Sequence, residues 1–107
     1  MPEFSSQPPT YITVPDRSRT EHRAKIFAAL SDPTRLQIVE MLATQGEMSG
    51  SDIANQVGIS LSLFCHHSKN LSEAGVVQIR REGQTKYHSL NLVLLADCFA
   101  SLKIGSL

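Results

Sequence analysis

The chain is short of the features that mark most specialised protein classes. Its 107 residues contain two cysteines, Cys65 and Cys98. That is too few for the disulfide framework of a small secreted domain, and each is expected to be a free thiol in a reducing compartment. No apolar run approaches the roughly 20 residues that a membrane-spanning helix requires, so no membrane partner is expected. The opening "MPEFSSQPPT" has neither a charged n-region nor an apolar h-region, which argues against a secretory signal and for a cytoplasmic location. No grouping of nucleophile, base and metal ligands appears that would support enzyme chemistry. A single small domain is expected, with a modest core of its own that a second copy can extend.

Excess charge of either sign is also missing, since ten Lys and Arg balance ten Asp and Glu. The charges are nevertheless unevenly placed. Between Ser60 and Leu90 the basic residues Lys69, Arg80, Arg81 and Lys86 face only Glu73 and Glu82, and Arg17, Arg19, Arg23 and Lys25 crowd a second stretch around Glu21. Local basic bias of this kind suits phosphate binding, although a solvated mixed-charge surface would look similar.

Four of the five prolines fall in residues 1–16. That segment reads as a flexible arm, with a short extended piece at "YITV", followed by one folded domain over 17–107. Within the domain, Ile26, Phe27 and Leu30 have helical spacing. Asp32 then caps a helix with Pro33 at its first position, apolar on Leu36, Ile38, Val39 and Leu42 and stopped by Gly46. A short helix follows, capped by Ser49 or Ser51, apolar at Ile53, Ala54 and Val57, and stopped by Gly58. After a tight connection Ser60 caps a fourth helix, Leu61 to Ala74. On it Phe64 and Leu71 share one face, and Ser62, Cys65, His66 and Lys69 share the opposite one. "VVQIRR" and "TKYHSL" around "EGQ" read as a two-stranded hairpin. Asn91 caps a last helix, "NLVLLADCFASLKI", apolar nearly all round, which calls for burial against something larger than this domain; a second copy is the simplest candidate. The fold class is therefore mainly α with a small β-hairpin wing, about five helices around a helix-turn-helix.

The segments "FAALSDPTRLQIVEMLA", "SGSDIANQVGIS", "LFCHHSKNLSEAGVV" and "RREGQTKYHSL" resemble, in order, the ArsR/SmtB family of bacterial winged-helix repressors. The resemblance runs from about residue 24 to 90. It implies a homodimer joined by the first and last helices, a recognition helix in each major groove of double-stranded operator DNA, and release when an effector binds. Base-edge contact falls to Ser62, Cys65 and His66, base or phosphate contact to His67, and phosphate contact to Lys69. The wing residues Arg80, Arg81 and Lys86 would lie along phosphates or in the adjacent minor groove.

No metal or other cofactor is expected. Side chains at Cys65, His66 and His67 point about 100° apart and cannot close together on one ion. Metal-sensing relatives often carry two cysteines where this chain has Ser49 and Ser51, and no histidine follows His88 to complete the family's other common site on the last helix. Cys65 stands where many relatives carry Ser and reads either as a small substitute or as a redox thiol. Cys98 reads either as a small buried hydrophobe or as a second redox residue. The effector stays open, and two alternatives remain: a thiol-based redox or sulfur-species sensor of the same fold, and a winged-helix module that binds protein.

Overall fold

Every helix begins where a short polar side chain can take an orphan amide of the first turn. The computed structural model describes residues 16–102 and shows the device five times. Asp16 accepts from the Ser18 amide at the start of α1 (Arg17–Leu30), and Asp32 from Arg35 at α2 (Pro33–Gln45). Ser49 accepts from Asp52 at α3 (Gly50–Val57), Ser60 from Leu63 at α4 (Leu61–Glu73), and Asn91 from Leu94 at α5 (Leu92–Ser101). The expected arm, "YITV" included, lies outside the described residues except for Asp16, the cap of α1. Residues 103–107 also lie outside them.

Two helix ends shape the joint between α3, α4 and α5. Gly58 takes a left-handed conformation, φ 83°, after α3 and donates to the Ala54 carbonyl, so the chain turns within three residues to the Ser60 cap. Gly75, φ 82°, closes α4, and a Cβ built on it would lie 2.9 Å from Leu94 Cδ1. α5 can rest on this corner because nothing projects from it.

The expected hairpin is one strand short of the observed sheet. β2 (Val77–Glu82) and β3 (Thr85–Leu90) pair antiparallel around Gly83–Gln84, and β1 (Met48–Ser49) adds to the far edge of β3, giving the order β1-β3-β2. Met48 pairs with His88 and Ser49 with Tyr87. A two-residue strand has no alternation to read, and its partner lies forty residues away.

Ile26, Ile38, Leu42, Ile53, Phe64, Leu71 and Val76 form the centre of the core. Phe27 and Leu36, expected inside, are instead 36% and 41% exposed. The Phe27 ring stands 6.1 Å from Phe99 of α5. α5 is split likewise: Leu95 and Cys98 face inward, whereas Leu92, Val93 and Phe99 are more than half exposed. The result is a row of exposed apolar side chains along α1 and α5. Among the described residues no helix is long and apolar enough to cross a membrane.

The joint between α3, α4 and the sheet is tight. A Cβ at Gly50 would meet Phe64 Cε2 at 2.9 Å and His88 Cε1 at 3.3 Å, and both side chains are buried. Gly50→Ala is therefore expected to lower stability by about 1–3 kcal/mol through overpacking, despite the better helix propensity of alanine. Urea denaturation checks this; an unchanged or higher midpoint would mean that the joint gives way freely.

Candidate nucleic-acid interface

α4 buries one face and presents another. Phe64, Ser68 and Leu71 are 2%, 5% and 1% exposed, and they fix the helix against the core. Ser62, Cys65, His66 and Lys69 all lie on the exposed side, as their i, i+3, i+4, i+7 spacing requires. Ser60 anchors the amino terminus of this row through its side-chain oxygen, 3.0 Å from the Leu63 amide. Leu61 and Leu63, not singled out from the sequence, add apolar surface to the same first turn, at 53% and 43% exposure.

His67 departs from its expected role. Its ring is 8% exposed and turned to the corner between α1 and α2, so it does not join the groove-facing row and is not placed to touch a base or phosphate. Arg35 Nη1 approaches His67 Nδ1 at 3.4 Å. Asp32 Oδ2 lies 4.0 Å from the same Nδ1. Arg35 also donates to the Ala29 carbonyl at 2.7 Å. The Arg35 amide, above all, holds the Asp32 carboxyl below its ordinary range, helped by the Arg35 charge. Asp32, Arg35 and His67 thus tie the recognition helix to the α1–α2 corner. A consecutive "HH" gives no sign of this, because the two rings diverge by one helical step and only packing decides which goes inside.

The wing sorts its cations by strand periodicity. Ile79 pairs with His88 and Arg81 with Lys86, so these four share one face, whereas Arg80 and Tyr87 pair on the other. Ile79, Lys86 and His88 line a groove against α4. Arg80 is directed elsewhere: its Nη2 lies 2.8 Å from Glu47 Oε1, its Nη1 lies 2.6 Å from Glu82 Oε2, and its guanidinium covers the Tyr87 ring at 4.8 Å. Two carboxylates raise the Arg80 pKa further, and the Arg80 hydrogen bond holds that of Glu47 down. In the unbound chain Arg80, expected on phosphate, is thus paired with two carboxylates and links the wing to the segment ahead of β1. Glu47 was missed from the sequence because it lies thirty-three residues from Arg80. Arg81 and Lys86 stand directly opposite each other, and neither takes part in an ion pair among the described residues. Like charges in register repel, and an external anion relieves the repulsion.

The two thiols differ in setting. Cys65 is exposed on the outward row of α4, and Cys98 is 4% exposed on the inner face of α5, where burial raises its pKa. Among the described residues no group of three or more His, Cys, Asp or Glu side chains is arranged to hold a metal ion.

Residues 32–78 match the family model described as "Bacterial regulatory protein, arsR family". The chain is 42% identical over 72 residues to the transcriptional repressor SdpR of Bacillus subtilis, covering 67% of this chain and 79% of that one. It is 40% identical over 68 residues to a cadmium resistance transcriptional regulatory protein CadC homolog of Staphylococcus aureus, covering 64% of this chain but only 56% of the relative. The solution structure of a homodimeric winged helix-turn-helix DNA-binding domain from Mycobacterium bovis superposes with a TM-score of 0.70 at 30% identity, covering 87% of each chain.

The contrast between the thiols is directly measurable. In the native protein a disulfide-exchange reagent is expected to label Cys65 at least about tenfold faster than Cys98, because the thiolate is the reacting species and burial both shields Cys98 and raises its pKa. Cys65→Ser should abolish the fast phase. A fast phase that survives this substitution would place Cys98 at the surface.

Proposed function

The chain belongs to the bacterial ArsR family of regulatory proteins, and from that membership we propose how its described surfaces divide the work of a repressor. It is a DNA-binding transcriptional regulator with a winged helix-turn-helix fold. In the proposed reading, α4 lies in the major groove with Ser62, Cys65 and His66 at base edges. Leu61 and Leu63 are placed for thymine methyl groups, the usual apolar feature of that groove. Lys69, Arg81 and Lys86 take phosphates, while Arg80 holds the wing in position. The observation that carries this reading is the unpaired Arg81–Lys86 couple beside the exposed polar row of α4. It provides concentrated cationic charge, without carboxylate partners among the described residues, next to a helix face able to enter a groove.

Two copies are required to hold two such helices one turn of DNA apart. The exposed Phe27, Leu92, Val93 and Phe99 supply an apolar surface for that contact, and the superposed Mycobacterium bovis domain is homodimeric. The regulator would act in the cytoplasm on DNA upstream of the gene it controls, and an effector would release it.

Phosphate neutralisation has a quantitative signature. Arg81→Ala is expected to reduce the slope of log K against log salt by about 0.9 for each phosphate that Arg81 neutralises, with similar weakening on specific and random duplexes. Arg80→Ala should weaken binding with the slope nearly unchanged, since it removes a brace. Fluorescence anisotropy at several salt concentrations separates the two; identical slopes for the parent and Arg81→Ala would overturn the phosphate assignment.

Assembly is tested separately. Phe99→Glu, at a position 53% exposed in the single chain, is expected to leave the fold intact, give a monomer in sedimentation equilibrium and abolish high-affinity operator binding. An intact dimer would move the interface off α5.

A further inference from the structure

Between α4 and the wing lies a cavity of about 570 Å³, whose rim includes Leu61, Cys65, Lys69 and Lys86 of the proposed DNA surface. Its depth can be read from burial. Phe64, Ser68 and His88 line it while being only 2%, 5% and 4% exposed, so they form the floor, and Leu61 and Ile79, at 53% and 44%, stand at the mouth. Lys69 from α4 and Lys86 from β3 also line it, and no carboxylate does among the described residues. The volume falls in the range of small-molecule sites, and an apolar floor with a few convergent polar groups is their usual chemistry.

Two features explain why the cavity exists. Ser68 sits in the core-facing row between Phe64 and Leu71, where a larger apolar side chain would fill the space; a second, smaller void shares Phe64, Ser68 and His88. In addition, His88 Nδ1 is buried with no hydrogen-bond partner, alone in this among the side chains of the described residues. Burial, with a smaller contribution from the Lys86 charge, lowers the pKa of that ring against a raising backbone hydrogen bond with Met48. His88 therefore serves as a wall of the groove, and the cations that an anion meets there are Lys69 and Lys86.

We propose that this groove is an effector site for a small amphiphilic carboxylate, its apolar body on Phe64, Leu61 and Ile79 and its carboxylate between Lys69 and Lys86. The inference rests on the DNA-binding reading above for its consequence: the bound anion occupies Lys69 and Lys86, two of the cations assigned to phosphate, and fills the space between recognition helix and wing. Binding of ligand and operator is then mutually exclusive, and each weakens the other by the same factor.

The test uses the full chain, octanoate as the probe and octanol as its uncharged counterpart. Octanoate is expected to shift the amide resonances of Phe64, Ser68, Ile79 and His88, to bind at least about tenfold more tightly than octanol, and to displace a duplex taken from the DNA upstream of the protein's own reading frame. Ser68→Leu fills the floor and should keep duplex binding while losing the response to octanoate. Ile79→Ser, at an exposed position that leaves the core untouched, should weaken octanoate by removing apolar surface from the mouth and should leave duplex affinity near that of the parent. Resonance shifts confined to α1 and α5, equal affinities for octanoate and octanol, or an undiminished response in both variants would each overturn the site. Groove binding by octanoate in a protein that binds no duplex would uphold the pocket and refute the DNA reading. Duplex binding with no octanoate response would do the reverse.

Discussion

Phe64 is driven into the angle between α3 and the sheet, and the contacts it makes there orient everything that faces outward. Its ring meets the edge of His88 at a centroid distance of 5.0 Å, and it packs so closely on Gly50 that no Cβ could stand between them. Burying a side chain of this size is worth roughly 1.5–3 kcal/mol, enough to fix the rotation of α4 about its own axis. Once that rotation is set, Ser62, Cys65, His66 and Lys69 must face solvent, and His67 must turn in toward Asp32 and Arg35. The same aromatic plug fastens β3, and through it the whole wing, to the helix-turn-helix. The recognition helix and the wing are therefore joined through one packed contact, beside the groove.

A protein of zero net charge can still bind a polyanion because the relevant field is local. At about 0.1 M salt the Debye length is about 10 Å, so acids elsewhere on the chain are largely screened at the DNA surface. What matters is which cations lack a neighbouring carboxylate. Of the two adjacent arginines, Arg80 is neutralised by Glu47 and Glu82, whereas Arg81 faces Lys86 across the ladder. One is ion-paired and the other faces a like charge, a difference produced by the two-residue period of a strand.

Much of the architecture is legible in the sequence because it rests on short-range chemistry. Asp32 before Pro33, Ser60 before the recognition helix and Asn91 before the last helix are local capping signals, and each caps in the structure the helix it is expected to cap. The spacing of Phe64 and Leu71 against Ser62, Cys65, His66 and Lys69 yields the two faces of α4 directly. The departures are of two kinds. Sequence order puts His67 on DNA because it follows His66 and Arg80 on phosphate because it precedes Arg81, and apolar character puts Phe27 and Leu36 in the core. For His67 and Arg80 the deciding partners, Arg35 and Glu47, are more than thirty residues away along the chain.

Helix starts, helix stops, the burial of Phe64, Leu71 and Ile53, and the resemblance that points to a DNA-binding regulator follow from the sequence by itself, since capping and amphipathic periodicity act over a few residues. Tertiary structure alone decided that β1 completes the sheet, that Glu47 claims Arg80, that His67 is a structural tie, and that Ser68 and His88 floor a cavity beside the recognition helix. Those outcomes depend on which surfaces meet once the chain has closed on itself. No local rule encodes them, because the free energy that selects them arises from packing and charge pairing between residues thirty or forty positions apart.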